Sequence, residues 1–136
     1  MAMRYLLTTG LLTVVWCTGT VRAAPFTPGN IVISQIGDPD NPNSGNASIV
    51  HLLEVSVTDE DGTLVQDITL PTTSSPPNHR FTLTSYFRDG HLKRSANGLF
   101  LTIAGYDASL DPNDATHVEP NEAPAIDVPR VIARID

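Results

Sequence analysis

Ile49-Val50-His51-Leu52-Leu53-Glu54-Val55-Ser56-Val57, followed by Asp59-Glu60-Asp61-Gly62 and then Leu64-Val65-Gln66-Asp67-Ile68-Thr69-Leu70, is the stretch on which the fold class turns. Ile49, Leu53, Val55 and Val57 recur every second residue and share one face with His51, which is the period of a half-buried strand. The acidic turn interrupts that pattern, Leu64, Gln66, Ile68 and Leu70 resume it, and Pro71 stops it. Two such runs joined through Asp-Gly predict an antiparallel hairpin, with the glycine meeting the turn's demand for positive φ.

The same pattern continues on both sides. Residues 81–87, a turn at Asp89-Gly90, residues 91–95, a turn at Asn97-Gly98 and residues 99–105 predict a three-stranded meander. Upstream, residues 30–36 follow the turn-forming Pro28-Gly29; downstream, residues 128–135 form a strand that tolerates Pro129 near its start. Seven strands are expected in all. Past residue 23 no window of about 11 residues carries an apolar stripe at helical spacing, so the expected class is all-β, built of antiparallel meanders of short strands. Leu53, Val55, Leu64, Ile68, Leu83, Leu99, Leu101 and Ile103 are the expected core. Residues 37–48, 72–80 and 107–127 are expected loops, rich in Pro, Asn, Asp, Ser or Thr. The last contains Asp107, Asp111, Asp114, Glu119, Glu122 and Asp127 without Lys or Arg, and is expected to protrude and to be mobile.

Residues 1–23 have the form of a secretory signal peptide: Arg4, an apolar run from Leu6 to Gly19, and Val21-Arg22-Ala23 before a cleavage point at Ala24. The run is shorter than the roughly 20 residues a transmembrane helix needs, and the bulky Trp16 before Cys17 disfavours a lipid anchor. Cleavage would leave residues 24–136 as one all-β domain, secreted to the extracellular space or the periplasm.

The whole chain has 136 residues, with 15 acidic and 8 basic side chains and a single cysteine. Without Arg4, Arg22 and Cys17, the remaining 113 residues carry a net charge of −9 and no thiol, which excludes disulfides and thiolate chemistry. With Lys93 the only lysine, binding to nucleic acid or to an anionic membrane is disfavoured, and no stable membrane insertion is expected after cleavage.

Leu92-Lys93-Arg94-Ser95-Ala96-Asn97-Gly98-Leu99-Phe100-Leu101-Thr102-Ile103-Ala104-Gly105-Tyr106 resembles the blade motif of secreted bacterial β-propellers, where a basic-Ser-x-Asp/Asn-Gly turn leads into an apolar strand. Phe26-Thr27-Pro28-Gly29-Asn30-Ile31-Val32-Ile33 and Val128-Pro129-Arg130-Val131-Ile132-Ala133-Arg134-Ile135-Asp136 resemble the opening of one poorly characterised family of such proteins. The resemblance spans most of residues 25–136 and implies an incomplete β-propeller, because a blade takes about 40–45 residues and a ring about 4–8 blades. An uncovered sheet edge would follow, weakening the isolated chain or opening it to edge-strand self-association. The alternative is a small seven-stranded β-sandwich, which about 100 residues can build.

Candidate chemistry is sparse. Asp38-Pro39-Asp40-Asn41-Pro42-Asn43 groups oxygen ligands of the kind Ca²⁺ prefers, but Pro42 falls where a third ligand is due and no glutamate closes the loop. The acidic loop 107–127 is a second place where a cation could collect, although a solvated charged loop is the commoner explanation. His51, His79, His91 and His117 form no close pair for a metal; His51 reads as a hydrogen-bonded residue and the others as solvated. Serines, histidines and aspartates are all present, yet nothing in the spacing selects a triad. The run Asp59, Glu60 and Asp61 reads as a solvated hairpin tip, and Asn46-Ala47-Ser48 matches a glycosylation acceptor. No residue is assigned a catalytic, cofactor-binding or metal-ligating role, and Ca²⁺ is the only cofactor the composition suggests.

The expected role is that of a secreted, non-enzymatic β-rich protein acting by binding or surface association. The rival readings are a piece of an extracellular propeller hydrolase and a calcium-stabilised adhesion module.

Overall fold

The computed structural model describes residues 24–40, 42, 45–58, 61–86 and 89–135. The signal-peptide segment 1–23, the hairpin-tip residues Asp59 and Glu60, and Asn41 and Asn43 of the candidate calcium loop lie outside the described residues. The protein is all-β, with two antiparallel three-stranded sheets and no helix among the described residues. One sheet contains β1 (Ile31–Ile36), β2 (Val50–Val55) and β3 (Leu64–Thr69); the other contains β4 (Lys93–Arg94), β5 (Leu101–Tyr106) and β6 (Arg130–Ile135). Within each sheet the strands lie side by side in chain order.

Two of the three expected hairpins are present, those turning at Asp61-Gly62 and Asn97-Gly98; among the described residues no ladder pairs the segments on either side of Asp89-Gly90. β2 and β3 pair with Leu53 opposite Asp67, and Gly62 closes the turn at φ 67°. β4 and β5 pair with Arg94 opposite Leu101, and Gly98 turns at φ 72°. Asn97 supports this second turn by accepting hydrogen bonds on Oδ1 from the Ser95 hydroxyl and the Leu99 amide.

Six strands are seen among the described residues instead of seven, and the difference lies at residues 81–86; Phe87, the last residue of the expected strand, lies outside the described residues. Thr82 and Leu83 do not ladder with one neighbour: Leu83 bridges to Ser48, beside the first sheet, and Thr82 bridges to Tyr106, in the second. The Thr82 and Tyr106 amides donate to each other's carbonyls at 3.0 Å, while Ser48 N–H reaches Leu83 O at 2.8 Å. Phe81, Thr82, Leu83 and Thr84 are all buried. This short segment therefore clasps the two sheets together: Thr82 bonds to one side and Leu83 to the other, and neither isolated bridge continues into a ladder.

The core gathers Val50, Leu52, Leu70, Phe81, Leu83, Ile103, Tyr106, Ala108, Val128 and Ile135. Full burial of a large apolar side chain contributes about 1.5–3 kcal/mol. The expected core is corrected in its particulars: Leu83 and Ile103 are buried, but Leu64 is 55% and Leu99 74% exposed. Leu53, Val55, Ile68 and Leu101 are half-buried.

The inward face of β2 is also opposite to the one expected. Val50, Leu52 and Glu54 are fully buried, whereas His51, Leu53 and Val55 are half-buried. Both faces of this strand carry apolar residues, so the period of two does not choose between them. The clasp at Ser48 and the partners of Glu54 decide it. Glu54 accepts from Thr27 N–H at 2.7 Å, Asn30 Nδ2 at 2.7 Å and Gln66 Nε2 at 2.6 Å, which meets the need of a buried carboxylate for donors.

Residues 107–127 do not protrude. They fold as successive turns over the core, with Ala108 and Pro120 buried and the His117 carbonyl accepting from Ala47 N–H at 2.8 Å.

Candidate functional site

The residues singled out for chemistry fall into separate places. Asp38 and Asp67 flank His51: Nδ1 lies 2.9 Å from Asp67 Oδ1, and Nε2 lies 3.8 Å from Asp38 Oδ2. Asp38 also accepts from Asp40 N–H at 3.0 Å, the local bond of an aspartate-led turn. In the acidic loop, Asp111 Oδ1 accepts from the backbone and side chain of Asn113, and Asp114 Oδ1 accepts from Thr116 N–H and hydroxyl at 2.9 and 2.8 Å. The Thr116 bonds hold the Asp114 carboxyl below the usual carboxylate range. These carboxylates serve turns. Among the described residues no three His, Cys, Asp or Glu side chains converge as a metal set.

His117 is half-buried, not solvated, with Nδ1 3.0 Å from the Ser109 carbonyl. His79 is exposed and pairs through Nδ1 with Asp107 Oδ2 at 2.9 Å. Arg80 Nε donates to the other oxygen of Asp107 at 2.8 Å, and the Ser74 hydroxyl reaches that oxygen at 3.5 Å. Partial burial pushes the Asp107 carboxyl up, but the bonds from Arg80 and His79 outweigh it and leave the group below its ordinary value. Serine, histidine and aspartate thus come together at this point, yet the hydroxyl is directed at the carboxylate. A nucleophilic triad needs the imidazole between the two.

Beside this cluster runs a cleft of about 610 Å³. One wall is the chain from Pro129 to Ile135, which is β6 and the residue before it; Leu70, Pro71, His79, Arg80 and Phe81 stand across from it. β6 pairs with β5 on one side and is the outermost strand of its sheet. Asp107 N–H donates to Pro129 O at 2.9 Å, and this bond sets the phase of the ladder. Val131, Ala133 and Ile135 turn their backbone groups toward Gly105, Ile103 and Leu101, so those of Arg130 and Ile132 point to the opposite side. The side chains alternate as well: Val131, Ala133 and Ile135 face the core, while Arg130, Ile132 and Arg134 face solvent, with Ile132 74% exposed.

Charge is concentrated here. Between residues 24 and 79 the sequence holds seven acidic side chains and no Lys or Arg; every basic side chain beyond the leader lies between Arg80 and Arg134. Arg80, Arg130 and Arg134 all line the cleft. Arg130 is anchored by donating to Val128 O at 2.6 Å and Ala123 O at 2.9 Å, and its guanidinium lies 4.8 Å from the centre of the Tyr106 ring. Arg134 lies over the Phe100 ring at 4.5 Å. Burial, then the Asp89 charge and the hydrogen bond donated to Asp89, push the Tyr106 hydroxyl up to about 12, against the opposing pull of Arg130.

Sequence reasoning missed this site because each arginine reads alone as a solvated charge. The available signal was the one-sided placement of Lys and Arg along the chain. A second groove of about 450 Å³ lies between residues 25–30 and the β4–β5 hairpin, where Phe26, Pro28, Leu92, Leu99 and Phe100 make it largely apolar. Compared with known protein families, curated proteins and solved structures, the chain matches none.

Proposed function

We propose that this is an exported, non-catalytic β-rich protein that works by binding another macromolecule, with the cleft along β6 as its recognition surface. The observation that carries this reading is the outermost strand β6 lining the cleft of about 610 Å³, its outward backbone groups unused by the β5 ladder. Open edges of this kind template pairing with another chain unless they are covered. The two sheets are further proposed to be units of the propeller type. Their strands follow chain order without crossover, as in up-and-down blades, whereas a sandwich with Greek-key connections places non-consecutive strands side by side.

Expression of the full chain tests the reading directly. N-terminal sequencing of the exported protein should begin at Ala24, and an Ile132→Pro variant, which removes an outward-facing donor from β6, should lose surface association. Retention inside the cell overturns export; undiminished association of the variant overturns the assignment of the surface.

A further inference from the structure

We propose that the β6 cleft takes an extended acidic peptide segment, added as a fourth strand beside β6, with acidic side chains two residues either side of an apolar one. This rests on the reading of the cleft as a recognition surface and specifies its partner. Arg130 and Ile132 together present two N–H donors and two carbonyl acceptors to the side away from β5, which is what an added strand requires. The six residues of β6 run roughly 20 Å at about 3.3 Å per residue, long enough to define a register.

Specificity follows from the alternation of side chains. Arg130, Ile132 and Arg134 share the solvent face of β6, so a docked strand places three alternate side chains directly against them. Carboxylates opposite the two arginines and a β-branched apolar residue opposite Ile132 complement that face. The intervening side chains of the peptide point to the other face, where Val131 and Ala133 stand with Leu70 and Phe81 across the cleft. Arg80 adds to the positive lining, while Asp107 offsets part of it.

The same charges select against a second copy of the chain at this edge. Antiparallel pairing of β6 with another β6 about Ile132 would set Arg130 opposite Arg134, and like charges directly opposed are destabilising.

Blocked peptides of the form Thr-Glu-Thr-Val-Thr-Glu-Thr test the proposal, compared with one in which lysine replaces both glutamates and one in which proline replaces the valine. Binding is measured by calorimetry, and the docked strand is located by amide hydrogen exchange. The glutamate peptide should bind at least about tenfold more tightly than the lysine peptide, the proline peptide should fail to bind, and protection should appear at Arg130 and Ile132. Arg134→Glu should weaken the glutamate peptide about tenfold and strengthen the lysine one. Ile132→Pro should abolish binding, and should it fail to fold, the response to Arg134→Glu decides between the outcomes by itself.

Equal affinity for the two charged peptides, protection on β1 or β3, or binding of neither peptide overturns the proposal. Concentration-dependent sedimentation of the peptide-free protein that Ile132→Pro abolishes also overturns it, since a second copy would then be the occupant. If neither peptide binds while Ile132→Pro still reduces surface association, the acidic strand is refuted and the recognition surface stands.

Discussion

Gly105→Ala probes the joint between the two sheets more sharply than any change in the visible core. Gly105 is a buried β5 residue, and a Cβ built on it would lie 2.6 Å from Phe81 Cζ, 2.9 Å from Phe81 Cε1 and 2.8 Å from the Thr82 carbonyl oxygen. Carbon atoms pack best at about 3.5–4.0 Å, so the methyl group is roughly 1 Å too close on two sides. Neither neighbour yields readily: the Phe81 residue is 3% exposed within the core, and Thr82 O accepts from Tyr106 N–H at 3.0 Å. Overpacking of this kind costs about 1–3 kcal/mol. Loss of the Thr82–Tyr106 bond would add about 1 kcal/mol, while the reduced freedom of the unfolded chain returns about 0.4–1 kcal/mol.

The expected net loss is therefore roughly 1–3 kcal/mol, read as a fall in thermal midpoint on the order of 5–15 °C for a domain of this size. Gly45→Ala is the matched control, because its Cβ meets nothing within 4 Å, and it should stay within about 0.5 kcal/mol of the parent. Far-UV circular dichroism during thermal and urea unfolding measures both. If Gly105→Ala unfolds together with the parent and the control, the close approach of residues 81 and 82 to β5 is wrong, and with it the clasp between the sheets.

The remaining predictions concern charge and turn geometry. Burial pushes the Glu54 carboxyl up, but the bonds from Gln66, Thr27 and Asn30 outweigh it and lower its pKa. Stability from this group is therefore complete above the ordinary glutamate range and lost as pH falls through the lowered folded value. Urea midpoints between neutral and strongly acidic pH should fall less steeply for Glu54→Gln than for the parent, and parallel curves would refute the assignment. Asp107 acts in the same sense, so Asp107→Asn should remove a further part of the acid-side loss; an unchanged pH profile would show that its pairing with Arg80 and His79 adds nothing. Gly98→Val forces a β-branched residue to φ 72° and should cost about 1–2 kcal/mol or more, with an unchanged melting curve counting against the β4–β5 turn. Tyr106 should ionise near pH 12 in a phenolate absorbance titration. Its raised value means stability is full below the ordinary tyrosine pKa and is lost between about pH 10 and 12, so titration of Tyr106 with an ordinary phenol would contradict its burial beside the Asp89 carboxylate.

What could be read along the chain was local. The alternation from Val50 to Thr69 and the glycines at 62 and 98 led to two hairpins because turn geometry and strand period are set by neighbouring residues. The positions of β1 and β6 followed from the same signals, although β1 starts at Ile31 and β6 at Arg130, later than expected, and so did the all-β class. The inward face of β2 was not legible, since Ile49, Leu53 and Val55 compete with Val50 and Leu52 for the core, and the buried Glu54 finds its donors at Thr27 and Asn30, some two dozen residues away. Residues 81–84 look like one more strand in sequence, and only the folded chain divides their bonds between Ser48 and Tyr106. The β6 cleft has the same origin. Arg80 and Arg134 are far apart in the chain, and they line one cleft only because the tertiary fold brings β6 against residues 70–81. Local dihedral preference selects hairpins; long-range packing selects which of their faces and edges are left to meet a partner.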